Sequence, residues 1–158
     1  MLIVGLFDED AQVRLEQEFA RNLSAAKRMA SIDSLTGVKN KHAYTQWEEN
    51  IDTGIDSGGQ EPFAVVVCDI NGLKTVNDLY GHKEGDACIK RASKRICDVF
   101  DHSPVFRVGG DEFVVLLMGQ DYARREELVT TINELPEDLG SVRAGDTLSA
   151  GMVEYDKD

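Results

Sequence analysis

The stretch Val105–Leu117, VFRVGGDEFVVLL, sets two glycines and two acids between apolar segments. The flanking segments PVFRV and EFVVLLM have the composition of β-strands, and Gly109 and Gly110 separate them. This arrangement predicts a β-hairpin with a two-residue turn of the primed type, because such a turn needs positive φ angles that glycine adopts without strain. Asp111 and Glu112 then stand where an apolar core strand begins, which suggests a chemical task for them.

The segments around this hairpin alternate between strand and helix patterns. Phe63–Ile70 is an apolar, β-branched run typical of a strand covered on both faces. A short helix, GLKTVNDLY, follows and stops at Gly81, and helical spacing resumes from Asp86 to about Phe100. After the hairpin, DYARREELVTTINEL predicts a helix capped by Asp121, and DTLSAGMVEY a last strand. The order βααββαβ predicts an α+β, ferredoxin-like fold with a central antiparallel-rich sheet.

The region before the first strand combines a turn, a helix and a polar connection. Asp33 or Ser34 can cap a short turn, and Lys41–Asn50 has helical character. Residues 51–62, IDTGIDSGGQEP, are polar and rich in glycine, so we expect a loop there.

An amphipathic helix is expected at the N-terminus. Its apolar residues recur mostly at spacings of three and four and lie among charged ones; they are Val13, Leu15, Phe19, Leu23, Ala26 and Ala30. This stripe can pair with a second copy as a short coiled coil, or it can fold back onto its own domain. The preceding LIVGLF resembles the last strand of another module, so we expect a longer parent protein. The predicted division is a linker helix over residues 1–31 and one globular domain over residues 32–158.

Composition limits the classes of partner. The chain has 158 residues, enough for one domain and an appendage, and its 17 Lys and Arg against 29 Asp and Glu give a net charge of -12. A chain this acidic repels polyanions, which argues against nucleic-acid binding. Any phosphate that it binds must therefore be met locally by metal ions or a few basic groups.

Cysteine usage and hydropathy bear on the compartment. The three cysteines are an odd number without metal-ligand spacing and lie in core-like patterns; they are Cys68, Cys88 and Cys97. We expect reduced thiols in a cytoplasmic protein. The opening MLIVGLF is too short to span a bilayer, and no basic residue precedes it, so we expect neither membrane contact by this segment nor a secretion signal. A membrane anchor elsewhere in the parent protein is compatible with this.

Two acids are expected to meet at one edge of the sheet. Asp69 closes the apolar run of the first strand, and Asp111 directly follows the hairpin glycines. If the first strand pairs beside the hairpin, both carboxylates project from the same edge, where a cation would offset the cost of desolvating them. Mg²⁺ suits such a site, since it takes one or two carboxylates and leaves other positions to water and phosphate. Alternatively, Asp69 caps the following helix and Asp111 is a solvated turn residue.

Three motifs, in order and in register, carry a family resemblance. DSLTGVKNKHAY, CDINGLKTVNDLYGHKEGDACI and FRVGGDEFVVLL resemble the GGDEF family of diguanylate cyclases, over Asp33 to Tyr155. The resemblance implies the nucleotidyl-cyclase palm, a form of the ferredoxin-like fold. It also implies that Mg²⁺, or Mn²⁺, is the cofactor and GTP the substrate.

The resemblance assigns metal and catalytic roles. Asp69 and the backbone carbonyl of Ile70 would bind the metal with Asp111, which would also help to deprotonate the attacking hydroxyl. Glu112 corresponds to the second acid of the GGDEF motif, and Lys74 to a lysine that stabilises charge on the phosphates. From the residues alone, Lys74 can equally be one more surface lysine.

The resemblance also assigns nucleotide-binding roles. Asn77 and Asp86 correspond to the pair that recognises guanine, and a carboxylate can accept from both N1–H and the 2-amino group. His82 lies near the nucleotide, and Gly109 and Gly110 leave room for the triphosphate. Simpler alternatives are an exposed polar residue for Asn77, a helix N-cap for Asp86 and a loop position for His82.

Further expectations concern residues outside the proposed metal and nucleotide sites. Arg107 can bind phosphate or pair with an acid, and Phe106 and Phe113 are expected in the core. FDHS, Phe100–Ser103, stands where many members carry an Arg-x-x-Asp motif for product inhibition, so we expect no feedback inhibition through this stretch. Leu73 replaces a frequent Phe at a packing position, and the family continues beyond the end of this sequence into a helix with basic residues that contact GTP.

The resemblance implies condensation of two GTP into cyclic di-GMP and pyrophosphate. Each of two facing domains would hold one GTP, so the implied enzyme is a homodimer, with the N-terminal helix as the means of pairing. An upstream sensory domain would supply the signal. The alternative is a catalytically silent domain that binds GTP or cyclic di-GMP and regulates a partner.

Overall fold

The computed structural model describes residues 9–134 and 144–155. Its helices and strands are, in chain order, α1 (Glu9–Met29), β1 (Lys39–Asn40), α2 (Lys41–Asp56), β2 (Phe63–Ile70), α3 (Leu73–Tyr80), α4 (His82–Val99), β3 (Val105–Arg107), β4 (Glu112–Leu117), α5 (Gly119–Ala123), α6 (Arg125–Asn133) and β5 (Leu148–Tyr155). The LIVGLF segment lies outside the described residues.

One five-stranded sheet organises the globular part, in the order β1-β3-β4-β2-β5. β2 lies antiparallel between β4 and β5, β3 is antiparallel to β4, and β1 pairs in parallel with β3. The predicted α+β fold with an antiparallel-rich sheet is therefore confirmed. Two details differ from the predicted order: a two-residue strand precedes α2, and the single helix predicted after the hairpin is broken at Arg124 into α5 and α6.

The two faces of the sheet have unequal cover. Alternate residues of β2 (Val66, Cys68 and Ile70) are fully buried in the main core beneath α3, α4 and α6. The opposite face is covered near α2 by a small aromatic cluster around Phe106. Tyr44 packs edge-on against Phe106, with the ring centroids 5.6 Å apart. Further along β2 on that face, Val67 is 41% exposed. The prediction of a strand covered on both faces is therefore wrong at the end that carries Asp69. Phe106 and Phe113 are buried, as expected.

The hairpin turn differs from its prediction. Neither Gly109 nor Gly110 has a positive φ angle. The amides of Val108 and Gly109 both donate to the carbonyl of Glu112, at 3.0 and 3.3 Å. The connection is thus longer than the two-residue primed turn, because Asp111 belongs to the turn and not to the strand.

Three helix boundaries also differ. Gly81, with φ 83°, ends α3 and begins α4, so α4 starts at His82 and Asp86 lies inside the helix instead of capping it. Residues 51–56 extend α2 and form no loop, since Ile51 is buried and anchors the added turn against the domain. Asp121 is not a cap, because Met118 holds that position before α5.

The chain divides into two units, with the boundary between Ser31 and Ile32. In the first unit, α1 buries none of its residues, and Leu15 and Phe19 are 68% and 69% exposed. No helix among residues 9–134 and 144–155 is long and apolar enough to cross a membrane.

Candidate active site

Three acids meet where β2 and β4 pair. Asp69 and Glu112 are register partners in the antiparallel ladder, so their side chains leave the same face of the sheet. Asp111 stands beside them, because the amide of Ile70 donates to its carbonyl at 3.0 Å. The structure thus brings the backbone of Ile70 next to the three acids Asp69, Asp111 and Glu112.

The electrostatics of this cluster favour a cation. Partial burial raises the pKa of Asp69, and the neighbouring charges of Asp111 and Glu112 raise it further. Asp69 does not cap the following helix, since Gly72 occupies the N-cap of α3 and no side chain caps it. The helix cap predicted for Asp69 in that alternative is therefore wrong, whereas Asp111 does lie in a turn and is partly exposed.

The donor set fits a hard divalent ion. Within the described part of the chain, no three His, Cys, Asp or Glu side chains form a ready-made metal cage. The predicted set differs from such a cage, because two carboxylates and one backbone carbonyl would supply the protein ligands and would leave other positions to water and phosphate. Mg²⁺ is commonly bound in this way.

The raised pKa of Asp69 leads to a stability prediction. Protonation of Asp69 favours the folded state, and this gain is complete below the ordinary aspartate pKa of about 4 and is lost as pH rises through the higher folded value. Without metal at pH 7, we therefore expect Asp69→Asn to be slightly more stable than the wild type, with the difference vanishing in acid.

Urea unfolding at a series of pH values from 4 to 7 measures the difference. Added Mg²⁺ should stabilise the wild type and leave Asp69→Asn unchanged. A stability difference that does not depend on pH would show that folding does not raise the pKa of Asp69.

A second group of predicted residues lies where α3 and α4 meet. Asn77 of α3 lies so close to Gly85 that a β-carbon on Gly85 would stand 1.9 Å from Asn77 Oδ1. Asp86 follows Gly85 and is exposed, and His82 is the exposed first residue of α4. Asn77 is partly buried, so the alternative of an exposed polar residue is wrong.

Gly85 is a further candidate for this group, and the sequence motifs did not indicate it. It is buried in the interior of α4, where glycine weakens a helix relative to alanine. A glycine inside an amphipathic pattern, directly before a candidate ligand, was the available signal for a close backbone approach.

The remaining candidates occupy different surroundings. Lys74 is exposed in the first turn of α3, which is consistent with either of its predicted roles. A β-carbon on Gly109 would lie 3.2 Å from Glu112 Cβ, so a side chain at position 109 would crowd Glu112. Arg107 was predicted either to bind phosphate or to pair with an acid. It pairs with Asp33 at 3.2 Å, which is the second of these roles.

The FDHS stretch forms a turn that donates hydrogen bonds to a buried acid. Asp121 accepts hydrogen bonds from the amide of His102 at 3.2 Å and from the Ser103 hydroxyl at 2.5 Å. Asp121 is 3% exposed, and its carboxylate fastens the turn to α5. The helix cap predicted at Asp121 is therefore wrong, because its buried carboxylate binds this turn instead.

The cysteines are free thiols buried or partly buried in the core. Burial raises the pKa of Cys68 to about 12, so this thiol stays protonated at neutral pH. The Cys88 thiol donates to the Gly145 carbonyl at 3.0 Å. Both are packing residues and not nucleophiles.

Three comparisons place this geometry among known proteins. The family model "Diguanylate cyclase, GGDEF domain" matches residues 30–158. The cyclic di-GMP phosphodiesterase PdeR of Escherichia coli is 32% identical over 79% of this chain, which covers 19% of that protein. Diguanylate cyclase DgcS of Shewanella oneidensis is 32% identical over 78% of this chain, which covers 46% of that protein. The chain thus spans between about a fifth and a half of these relatives.

A solved structure agrees with the fold. The coiled coil and GGDEF domain of DgcB from Caulobacter crescentus, in complex with c-di-GMP, matches with a TM-score of 0.68 at 22% identity. The match covers 94% of this chain and 81% of that one. The family model matches most of the chain, and the fold brings the acids of the motif together. The chain therefore belongs to the GGDEF family of diguanylate cyclase domains.

Proposed function

We propose that this domain is a diguanylate cyclase that condenses two GTP molecules into cyclic di-GMP and two pyrophosphates. The observation that carries the proposal is the convergence of Asp69, Asp111 and Glu112 beside an open glycine turn. Family membership supports it, since the matched family model is that of diguanylate cyclases.

Asp69, Asp111 and the carbonyl of Ile70 would hold Mg²⁺ or Mn²⁺. The bound ion would neutralise phosphate charge and make the attacking 3′-hydroxyl more acidic. Asp111 accepts the proton of that hydroxyl. The 3′-oxygen then attacks the α-phosphorus of the other GTP and expels pyrophosphate. Lys74 stabilises negative charge on the phosphates, and Glu112 adds to the acidic field of the site.

Asn77 and Asp86 would recognise guanine. The Asp86 carboxylate accepts from the N1–H and 2-amino groups, which selects guanine over adenine because adenine presents no such pair of donors. His82 lies at the start of the same helix and would approach the nucleotide. Gly109 and Gly110 leave space for the triphosphate, since a β-carbon on Gly110 would meet no described atom within 4 Å.

One domain would hold half of the reacting pair, so we infer a homodimer in which α1 pairs with its copy. The exposed apolar side chains of α1 support this inference, because burying Leu15 and Phe19 against a partner gains hydrophobic free energy. An upstream sensory domain would act through α1. A cytoplasmic location is part of the proposal, in keeping with GTP as substrate and with free cysteines.

Phe19→Glu is expected to weaken the dimer and lower product formation on the order of tenfold at micromolar protein, since it removes from each copy an exposed aromatic that the proposed dimer would bury. Sedimentation velocity and cyclic di-GMP yield, both against protein concentration, measure the effect. Gln17→Glu is the matched control, because it adds the same charge to the same helix at a polar position. Equal losses in both variants would mean that charge, and not the apolar stripe, matters.

The second candidate is a catalytically silent domain that binds GTP or cyclic di-GMP. The observation that favours it is the relative PdeR, whose name is that of a phosphodiesterase. Incubation with GTP and Mg²⁺, followed by mass spectrometry, separates the two candidates. We expect cyclic di-GMP and pyrophosphate; heat of GTP binding by calorimetry with no product would favour the silent domain.

A further inference from the structure

Arg107 joins the turn that carries Asp111 to the first turn of the globular unit. Its Nε and Nη2 donate to the carbonyl oxygen of Gly110 at 3.3 and 2.9 Å. Its Nη1 donates to both carboxylate oxygens of Asp33, at 3.2 and 3.3 Å. We propose that Arg107, braced by Asp33, is a positioning residue that orients Asp111 for metal binding. The inference rests on the proposed function and gives Arg107 a task distinct from touching substrate.

The carbonyl that Arg107 holds belongs to the peptide bond that Asp111 completes. Because that bond is planar, fixing the oxygen of Gly110 also fixes the amide of Asp111 and the direction in which its side chain leaves. The turn needs such a restraint, since two adjacent glycines are conformationally permissive and a β-carbon at Gly110 would touch no described atom within 4 Å.

Asp33 provides a fixed anchor for the guanidinium. Its Oδ1 also accepts from the amide and hydroxyl of Thr36 at 2.9 and 2.7 Å, and its own amide donates to the Val38 carbonyl at 2.8 Å. Burial alone would raise the pKa of Asp33, but the hydrogen bonds from Thr36 and Arg107 outweigh it and lower that pKa. The anchor therefore stays ionised at neutral pH.

The pair is shielded from water, unlike the surface pairs of this chain. Arg107 and Asp33 are 15% and 20% exposed, against 59% and 64% for Arg124 and Glu127. A shielded ion pair holds its geometry better than an exposed one, which salt and solvent screen. Arg124→Lys is therefore a suitable control for loss of a guanidinium elsewhere.

Lysine keeps the charge of Arg107 but cannot span Asp33 and the Gly110 carbonyl with one planar fork. For Arg107→Lys we expect Mn²⁺ affinity, measured by electron paramagnetic resonance without nucleotide, to fall about tenfold. The kcat for cyclic di-GMP should fall by a similar factor, with KM for GTP nearly unchanged. Hydrogen exchange in the peptide spanning residues 105–113 should quicken, and Arg124→Lys should match the wild type in all three.

The outcomes separate the two proposals. Unchanged Mn²⁺ affinity, or unchanged exchange at the turn, would overturn the positioning role, and a raised KM with normal kcat would replace it by direct phosphate contact. A wild type that makes no product, with Mn²⁺ affinity still lost in Arg107→Lys, would remove the cyclase proposal and keep this one. A wild type that binds no Mn²⁺ and makes no product would remove both.

A double-mutant cycle tests the anchor. Asp33→Asn removes the charge that braces Arg107 and should weaken Mn²⁺ binding on its own. Combined with Arg107→Lys, it should add little further loss, since both changes release the same turn. If the double variant instead lost Mn²⁺ affinity by the product of the two single losses, the role of Asp33 would be overturned.

Discussion

Replacing Asp111 by alanine is expected to abolish cyclic di-GMP formation, with kcat at least roughly 1,000-fold lower, because the change removes a metal ligand and the proposed base together. The product is measured by mass spectrometry with GTP and Mg²⁺ in excess. The fold should persist: Asp111 lies in a turn, and its carboxylate raises the pKa of Asp69 by repulsion, so removing it relieves a cost.

Asp98→Ala is the matched control for Asp111→Ala. Asp98 is 61% exposed and pairs with Lys94 on the surface of α4, where such a pair contributes about 0.5 kcal/mol or less. Its loss should leave turnover and melting temperature almost unchanged. Full turnover by Asp111→Ala would mean that the metal and base are assigned to the wrong residue, and an unfolded Asp111→Ala domain would mean that its backbone role is larger than the structure implies.

The pairing of the acid-bearing strands could be predicted because local patterns determine it. The β-branched run of Phe63–Ile70 and the paired glycines before Asp111 each identify a strand end. The ferredoxin-like order then leaves few ways to pair them, and the observed register sets Asp69 opposite Glu112.

The contacts that complete the site could not be predicted in this way. Arg107 and Asp33 lie 74 residues apart in sequence, and nothing local to either one indicates the other. Asp is a favoured N-cap residue, so the sequence suggests that Asp86 caps the helix. Gly81 starts the helix one turn earlier, so tertiary packing overrides this local preference. Asp121 is similar: an acid near a helix start suggests a cap, whereas its partners are His102 and Ser103.

The second large effect is expected from Gly85→Ala, which should weaken GTP binding by roughly 100-fold while the fold is kept or stabilised. A β-carbon at this position would stand 1.9 Å from Asn77 Oδ1, so the Asn77 side chain must move. Displacing it leaves a guanine hydrogen bond unmade, whereas the helix gains because alanine is a better helix former than glycine. Calorimetry with GTP and Mg²⁺ measures binding, and thermal unfolding measures stability.

Gly54→Ala supplies the control, because it places the same change inside another helix, α2. The added β-carbon there meets Gln60 Oε1 at 2.8 Å, at the far end of a flexible side chain that has no role in the proposed site. Gly54→Ala should therefore share the gain in helix stability and bind GTP as the wild type does. Normal GTP affinity in Gly85→Ala would show that Asn77 does not contact guanine, and the base-recognition site would have to lie elsewhere in the domain.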